Sequence, residues 1–275
     1  MNTIINLNGE LIPVSNYQLS VKNRGFKYGD GLFETIKIID QQIVFLEDHY
    51  FRLMASMRML RMEIPMEFNM SFFESAIISV VKSNELSNAR CRMTVWREAG
   101  GLYFPDTNNI SFLVEVSPLS VQVKESYSID LFRDYYVNSG LLSTLKTNNK
   151  LINVLAGIYA KENDLENSVL LNERKQVVEL TNGNVFMVSD NSVITPPISD
   201  GCIKGIVRKK LIELINRDQK YELKEASISP FDLQKTDELF MTNSIVGIQP
   251  ITKYKKKLYS KEITLDLIGK LNQLI

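Results

Sequence analysis

The apolar residues of this chain fall mostly in short runs bounded by turn residues, and this pattern constrains the fold more than any other feature. Residues 4–7 and 11–12 are two such runs, and the Asn8-Gly9 pair between them strongly indicates a β-hairpin. Strands are also predicted over 32–39, 43–46, 91–97, 110–116, 127–133, 168–171, 177–180, 185–188, 193–195, 238–242 and 247–251. Strands therefore recur along almost the whole sequence.

Helical spacing of apolar residues interrupts these strands at a few places. The first helix is predicted from residue 46, because apolar side chains recur at 46, 50, 53, 57 and 60. Further helices are predicted over 71–83, 148–162 and 206–216, and Ser260 is expected to cap a C-terminal helix. Strands and helices together predict an α/β (α+β) protein.

Pro118 marks the best candidate for a domain boundary. Residues 1–118 are expected to form a small N-terminal α+β domain, 119–126 a linker, and 127–275 a larger C-terminal domain that contains Lys146. A chain of 275 residues accommodates one large domain or two modest ones.

The charge balance excludes some classes of partner. The 32 basic and 32 acidic residues cancel, so neither nucleic acid nor an anionic membrane is an expected partner. The first residues lack the basic and apolar regions of a signal peptide. No run approaches the roughly 20 apolar residues of a membrane helix. A cytoplasmic location is therefore expected.

Histidine and cysteine are scarce, which limits the available chemistry. The chain has one histidine, His49, and two cysteines, Cys91 and Cys202. This leaves too few nitrogen and sulfur ligands for an ordinary zinc site, so no metal is expected. We interpret His49 and both cysteines as structural. Chemistry is then left to Lys, Arg, Glu, Thr and Tyr side chains, or to a cofactor.

Three local motifs are ambiguous when each is taken alone. Lys146 is flanked by small polar residues ahead of a predicted helix, and is either a reactive amine or one more solvated lysine. Glu179 faces either a pocket or solvent from its predicted strand. The helix start at Gly205-Ile206-Val207 offers backbone N–H groups to an anion, but every helix has such an end.

The order of these motifs resembles the class IV aminotransferase family. The resemblance rests on Arg52, Arg97, Lys146, residues 179–186 and residues 205–207, with the Tyr28-Gly29-Asp30-Gly31-Leu32-Phe33-Glu34 segment upstream. That family contains branched-chain aminotransferases, D-amino-acid aminotransferases and 4-amino-4-deoxychorismate lyases. The resemblance implies the fold of fold-type IV enzymes, with a small N-terminal α/β domain and a larger, β-barrel-like C-terminal domain with helices. It also implies pyridoxal 5'-phosphate as cofactor, a small amino substrate and a homodimer.

The resemblance implies a role for each cofactor-binding residue. Lys146 would form the Schiff base and shuttle the substrate proton, and Glu179 would keep the pyridine nitrogen protonated, which makes the ring an electron sink. Ile203 would pack on the ring face. The cofactor phosphate would be held by Arg52, the N–H groups of Ile206 and Val207, and the hydroxyl of Ser244.

The strand around residue 35 bears on which reaction is catalysed. Because strand side chains alternate, Phe33, Thr35 and Lys37 should share one face and Glu34 the other. Phe33 faces the active site in the family, so Thr35 is expected there too. Lyases of the family resemble this chain in having threonine, whose hydroxyl could relay a proton to the leaving group. Threonine is also simply a good strand residue.

Two further positions resemble substrate contacts of the family. Arg97 matches an arginine that binds a substrate carboxylate, and Asn243 would hydrogen-bond a carboxylate or hydroxyl unless it is only a turn residue. Leu102 stands where a known lyase has another arginine, and Lys37 could replace that charge. Ala99 replaces the histidine of the D-amino-acid enzymes, which disfavours that specificity.

Two enzymatic activities remain after these comparisons of motifs. The first is a 4-amino-4-deoxychorismate lyase, which releases pyruvate to give 4-aminobenzoate for folate biosynthesis. The second is an aminotransferase acting on branched-chain or related amino acids with 2-oxoglutarate, whose apolar pocket could be lined by Phe33, Trp96, Leu102 and Tyr103. A catalytically silent binding protein is disfavoured, because the cofactor-binding residues are all present.

Overall fold

The computed structural model describes residues 3–275 and divides the chain into two compact units. The first unit runs to Ser120 and also contains Lys146–Asn149. The second unit contains Val121–Leu145 and Lys150–Ile275. The first two residues of the predicted N-terminal domain lie outside the described residues.

The first unit is built on one antiparallel six-stranded sheet, in the order β2-β1-β6-β5-β3-β4. Its strands are β1 (Ile4–Leu7), β2 (Glu10–Pro13), β3 (Gly31–Ile39), β4 (Gln42–Ile43), β5 (Ala89–Arg97) and β6 (Ile110–Pro118). The predicted hairpin joins β1 to β2, and both Asn8 (φ 53°) and Gly9 (φ 98°) have the positive φ that such a turn requires.

Three helices belong to the same unit: α1 (Arg24–Tyr28), α2 (Leu46–Met59) and α3 (Met70–Ser83). Asparagine side chains cap two of them, because Asn23 accepts from the N–H of Phe26 and Asn69 from that of Phe72. Gly29 ends α1 in the left-handed conformation and turns the chain towards β3. α2 and α3 bury their apolar faces, as the 3.6-residue spacing predicts.

The placement of Lys146 differs from the sequence prediction. The predicted C-terminal domain included this residue, whereas Lys146–Asn149 packs with the first unit. The reason is backbone pairing with β3: the N–H of Phe33 donates to the carbonyl of Lys146, and the N–H of Asn148 donates to that of Gly31, both at 2.9 Å. The predicted helix from residue 148 therefore begins only at Leu151.

The second unit contains two five-stranded sheets, ordered β12-β11-β10-β13-β14 and β16-β15-β7-β8-β9. Their strands are β7 (Ser128–Leu131), β8 (Asn167–Leu171), β9 (Val177–Leu180), β10 (Asn184–Ser189), β11 (Ser192–Thr195), β12 (Glu222–Glu225), β13 (Glu238–Asn243), β14 (Gly247–Ile251), β15 (Lys253–Tyr254) and β16 (Lys257–Leu258). Buried residues from both sheets form one apolar cluster, among them Val169, Leu180, Met187 and Ile251. The fold predicted as barrel-like is thus two sheets around a shared core.

Four helices complete the second unit: α4 (Leu151–Glu162), α5 (Ile206–Asp218), α6 (Asp232–Lys235) and α7 (Glu262–Asn272). The short strand β12 and the short helix α6 were not predicted, because neither has a clear apolar period. No helix in residues 3–275 is long and apolar enough to cross a membrane.

The predicted cap of the terminal helix is wrong. Ser260 does not cap α7, because its hydroxyl donates to the carbonyl of Asp237 instead. The buried carboxylate of Glu238 takes the capping role, accepting from the N–H groups of Ile263 (2.9 Å) and Thr264 (2.8 Å). A carboxylate also suits the positive end of the helix dipole better than a hydroxyl.

Candidate active site

Lys146 is fixed against β3 in the first unit. Its carbonyl accepts from Phe33, Thr147 bridges to Leu32, and its Nζ lies 4.2 Å from the centre of the Phe33 ring. An ammonium at this distance is attracted to the face of an aromatic ring. The predicted Schiff-base lysine and the predicted substrate-facing Phe33 are therefore brought together.

The register of β3 with β5 sets which side chains share the Phe33 face. Phe33 is paired with Thr94, Thr35 with Arg92, and Lys37 with Arg90. Residues directly opposite in an antiparallel pair project on the same side, and alternate residues along a strand share that side. Thr35 and Lys37 consequently lie on the face that carries the Phe33 ring, as the alternation predicts.

Glu34 projects from the opposite face of β3 into a buried charged cluster with α2. Its two carboxylate oxygens accept from Arg52, whose Nε lies 2.8 Å from Oε1, while NH2 contacts Oε2. His49 Nδ1 lies 2.7 Å from Oε2. Burial acts to raise the pKa of Glu34, but Arg52 and His49 together outweigh burial and hold that pKa at about 2. The carboxylate thus fixes the orientation of the guanidinium predicted to bind phosphate.

Arg97 is engaged by protein groups. Its Nε donates to Asp30 at 3.0 Å, NH1 to Asn108 at 2.6 Å, and NH2 to the carbonyl of Leu60 at 2.8 Å. The same Asp30 oxygen accepts from Arg24 at 2.9 Å. This geometry holds Arg97 between β5 and the end of α2, and its predicted contact with a substrate carboxylate stays a prediction.

Tyr103 lies on an exposed loop. Its ring centre is 5.7 Å from that of Tyr28, and Arg24 NH1 fixes the loop by donating to the carbonyls of Gly100 (2.8 Å) and Leu102 (2.7 Å). Exposed apolar side chains follow one another here: Leu102, Tyr103 and Phe104 are 68%, 85% and 88% exposed. The predicted substrate contact of Tyr103 stays a prediction.

In the second unit, Glu179 lies at the centre of a buried polar cradle. Its carboxylate accepts from the N–H of Ile203 at 3.0 Å and from Asn184 at 3.5 Å. Asn184 also donates to the carbonyl of Ile203 at 2.8 Å. Lys150 is a further neighbour: burial lowers the pKa of its ammonium and the charge of Glu179 raises it. The alternative of a wet strand face is excluded by the burial of Glu179, and its predicted contact with the cofactor ring stays a prediction.

The start of α5, where the phosphate contacts of Ile206 and Val207 are predicted, lies next to this cradle. Gly205 is the N-cap and provides no side-chain acceptor, so the structure shows no protein acceptor for the N–H groups of Ile206 and Val207 within residues 3–275. A Cβ on Gly205 would lie 2.0 Å from Asn184 Oδ1, so only glycine fits here. N–H groups without a protein acceptor and the helix dipole favour a phosphate.

Asn243 is the last residue of β13, and Ser244 begins the turn that leads to β14. Asn243 Oδ1 accepts from the N–H groups of Ile245 (3.0 Å) and Val246 (2.9 Å), and its amide donates to the carbonyl of Asn182 (3.2 Å). Asn243 thus stabilises the turn from the end of β13, and its predicted substrate contact stays a prediction. Ser244 lies beside it in the turn, and its phosphate contact stays a prediction.

Several residues of the candidate site were missed by sequence reasoning. Four such residues contact or neighbour a predicted site residue: Glu34, Arg92, Lys150 and Asn184. Glu34 and Asn184 had a usable signal, because they lie within the 28–34 and 179–186 motifs. The part of the chain that the structure describes contains no group of His, Cys, Asp and Glu suited to a metal ion.

Two relatives resemble this chain over most of its length. A Methanocaldococcus jannaschii protein assigned as a branched-chain-amino-acid aminotransferase is 28% identical over 277 residues, which is 98% of this chain and 94% of the relative. The aminodeoxychorismate lyase of Vibrio harveyi is 26% identical over 236 residues, 84% of this chain and 85% of the lyase.

Solved structures confirm the predicted fold class. The branched-chain aminotransferase from Thermoproteus uzoniensis, solved with norvaline, matches with a TM-score of 0.90 at 21% identity, covering 99% of this chain and 94% of that one. The branched-chain aminotransferase of T.th., solved with N-(5'-phosphopyridoxyl)-L-glutamate, matches with a TM-score of 0.88 at 25% identity, covering 100% of this chain and 94% of that one.

The family model described as amino-transferase class IV matches residues 31–254. This range contains β3, Lys146, Glu179 and the start of α5. The resemblance predicted from those motifs is confirmed, and the chain belongs to the class IV aminotransferase family.

Proposed function

We propose that this chain is a pyridoxal 5'-phosphate-dependent 4-amino-4-deoxychorismate lyase, which releases pyruvate and leaves 4-aminobenzoate. One observation carries the choice of lyase: Thr35 lies on the same face of β3 as Phe33, whose ring contacts Lys146 Nζ. A hydroxyl on that face is suited to deliver a proton to the departing enolpyruvyl carbon.

The cofactor assignment is supported by residues that fit its chemical groups. The free N–H groups at the start of α5 suit its phosphate, and Arg52 is held in a fixed orientation by Glu34. Glu179 is a buried acceptor suited to a protonated ring nitrogen. When bound, the cofactor supplies a cationic ring that stabilises negative charge at the reacting carbon.

The protein groups then have distinct tasks in the proposed reaction. Lys146 would hold the cofactor, and its free amine would take the proton from the substrate. Glu179 would keep the proton on the ring nitrogen. The Thr35 hydroxyl would relay the proton held by Lys146 to the enolpyruvyl carbon of the leaving group, giving up its own proton and replacing it from Lys146, and the aromatisation of the substrate ring favours the elimination.

The second candidate is an aminotransferase for branched-chain amino acids. It is favoured by the similarity to branched-chain aminotransferases along almost the entire chain. Against it stands the polar character of the Phe33 face, where Thr35, Arg92 and Lys37 replace the apolar lining that such a substrate needs.

A single assay separates the two candidates. Purified enzyme is given 4-amino-4-deoxychorismate without any keto acid, and pyruvate is measured. We expect pyruvate release, and its loss in Lys146→Ala together with the cofactor's visible band at ~410–420 nm. Turnover of leucine or valine that requires 2-oxoglutarate, with no pyruvate from the first substrate, would reject the lyase.

A homodimer is also proposed, because family members resembling this chain generally form one. The exposed apolar run 102–104 supports it, since contiguous exposed apolar side chains mark interaction surfaces.

A further inference from the structure

A pocket of about 410 Å³ lies in the first unit, bounded by α2 and by residues 62–69, the segment that leads to α3. This volume is within the range of small-molecule sites, which begins at about 300 Å³. Within residues 3–275, none of the residues proposed for the cofactor or the substrate lines this pocket. The side chains that line it include Tyr50, Met54, Arg58, Met62, Met66 and Phe68.

The walls of this pocket are fixed by hydrogen bonds and ring contacts inside the first unit. The hydroxyl of Tyr50 donates to the carbonyl of Phe68 at 3.3 Å, which joins α2 to the other wall. The N–H of Met62 donates to the carbonyl of Met57 at 2.9 Å, and the Phe68 ring packs edge-on against Phe112, with ring centres 5.4 Å apart. Because its walls are already held, the pocket needs little ordering when a ligand binds.

Methionine is the commonest residue in the lining of the pocket. Met54 and Met62 are buried, whereas Met66 is 97% exposed, so the pocket is open to solvent on that side. The flexible thioether of methionine adapts to a ligand and makes favourable contacts with aromatic rings. Tyr50 and Phe68 add aromatic surface, which favours offset or edge-to-face contact with another ring. The lining therefore suits a flat aromatic ring.

Arg58 is the one charged side chain that lines the pocket within residues 3–275. It is exposed on the last turn of α2, and the described part of the chain provides no ion pair or hydrogen bond for its guanidinium. Glu63 and Glu67 belong to the segment on the other side, but neither is among the described residues that line the pocket. A guanidinium presents paired N–H donors that match a carboxylate. A negatively charged ligand group is therefore favoured at Arg58.

We infer that this pocket is a second binding site, separate from the proposed active site, and that it binds a small aromatic monocarboxylate. The ring lies among the methionine and aromatic side chains, and the carboxylate pairs with Arg58. The 4-aminobenzoate released in the proposed reaction belongs to this class of ligand. Only this link to the product rests on the proposed function, because the binding site is derived from its own lining.

The test follows the methionine methyl groups of the cofactor-loaded enzyme by NMR during titration with benzoate. The chain has 10 methionines, and replacing Met54, Met62 or Met66 with leucine assigns each signal while nearly conserving side-chain volume. We expect the benzoate ring to shift these three signals together, with a dissociation constant of about 0.1–1 mM. Shifts confined to the other methionines would overturn the site.

The contribution of charge is measured with benzamide, which has the same ring but no charge. Wild-type enzyme should bind benzoate about five- to tenfold more tightly than benzamide. Arg58→Gln should remove this difference by weakening benzoate binding, and Arg58→Lys should retain part of it. Because Arg58 is exposed, we expect the methyl spectrum of both variants without ligand to match that of the wild type. Equal affinities of the wild type for benzoate and benzamide would contradict the inference.

The matched control is Arg61→Gln, which removes an equal charge from a nearby exposed arginine that is not among the described lining residues. We expect it to leave benzoate affinity within about twofold of the wild type. Equal losses in Arg58→Gln and Arg61→Gln would reveal only long-range charge attraction and would overturn the site. Valerate, which has a carboxylate but no ring, should bind about threefold or more weakly than benzoate. Equal binding of the two acids would overturn the assignment of an aromatic ligand.

The outcome stays distinguishable from that of the proposed function. The site stands if benzoate shifts the three methyl signals and its affinity depends on Arg58, even when no pyruvate is released from 4-amino-4-deoxychorismate. It falls if benzoate leaves these signals unchanged, even when pyruvate is released and the visible cofactor band is present.

Discussion

At the scale of single residues, the two faces of β3 have different tasks. Thr35 and Phe33 face the side that carries Lys146, whereas Glu34 anchors Arg52 and His49 on the other side. One strand thus positions both a group proposed for proton transfer and a group proposed for phosphate binding. Side-chain alternation, with its period of two, produces this division of tasks.

Replacing Thr35 with valine should slow the reaction without loosening the cofactor. Valine keeps the size and branching of the side chain but removes the hydroxyl that we propose as proton donor. We expect kcat for pyruvate release to fall about 10²-fold, with the cofactor band unchanged. Loss of the band in Thr35→Val would contradict the proposed role.

Replacing Glu34 with glutamine should destabilise the first unit. Glu34 is buried with a pKa of about 2, so its stabilising contribution is complete above the ordinary glutamate pKa of 4.5 and is lost as the pH falls towards 2. Glutamine would remove the carboxylate charge that contacts Arg52 and the His49 ring, at a cost of about 3–5 kcal/mol near neutral pH. Urea unfolding at pH 7 and pH 3 measures this cost, and it should shrink at the lower pH.

The control for this experiment is Glu74→Gln on the exposed face of α3. A solvated glutamate contributes little, so we expect a change within about 0.5 kcal/mol. A pH-independent difference between wild type and Glu34→Gln would show that the ionised carboxylate is not what stabilises the cluster.

At the scale of elements, the start of α5 depends on the absence of a side chain. Asn184, from β10, fills the space where a Cβ on Gly205 would lie and reaches both Ile203 and Glu179. The strand and the start of the helix are thereby coupled. One amide positions both the N–H groups proposed to bind the phosphate and the carboxylate proposed to accept from the ring nitrogen.

Gly205→Ala should therefore weaken cofactor binding. The new methyl group must displace Asn184, and overpacking of this kind costs about 1–3 kcal/mol. Titration of the apoprotein with pyridoxal 5'-phosphate, followed by its absorbance, measures the loss. Gly140→Ala is the matched control, because nothing lies within 4 Å of a Cβ there. Equal affinities in both variants would show that the cradle tolerates displacement of Asn184.

At the scale of the whole molecule, we expect a homodimer. Light scattering after size exclusion should give a molar mass of about twice the 31.5 kDa of one chain. Phe104→Ser should shift it towards the monomer, because it removes an exposed apolar side chain of the 102–104 run. Met66→Ser is the control, since Met66 is 97% exposed but lies outside this run. A monomeric wild-type protein would contradict the proposal.

The sequence by itself determined the strands, most helices and the family, because these depend on local periodicity and on motifs with fixed spacing. Alternation also placed Phe33, Thr35 and Lys37 on one face correctly. Local patterns of this kind could not predict which side chains from distant segments would contact one another. Only the tertiary structure decided three features. These are the pairing of Lys146–Asn149 with β3, the capping of α7 by Glu238, and the hydrogen bonds of Arg97 and Asn243 to protein groups.

The physical reason is that a charged or polar side chain has several possible partners, and its choice depends on which strands become neighbours. Arg92 illustrates this: nothing in its local sequence distinguishes it from Arg90, two residues earlier. The register of β5 against β3 stacks Arg92 on Phe33, beside Lys146, while Arg90 stays exposed. Lys146 was identifiable from its motif, whereas the charges that surround it became visible only in the folded sheet.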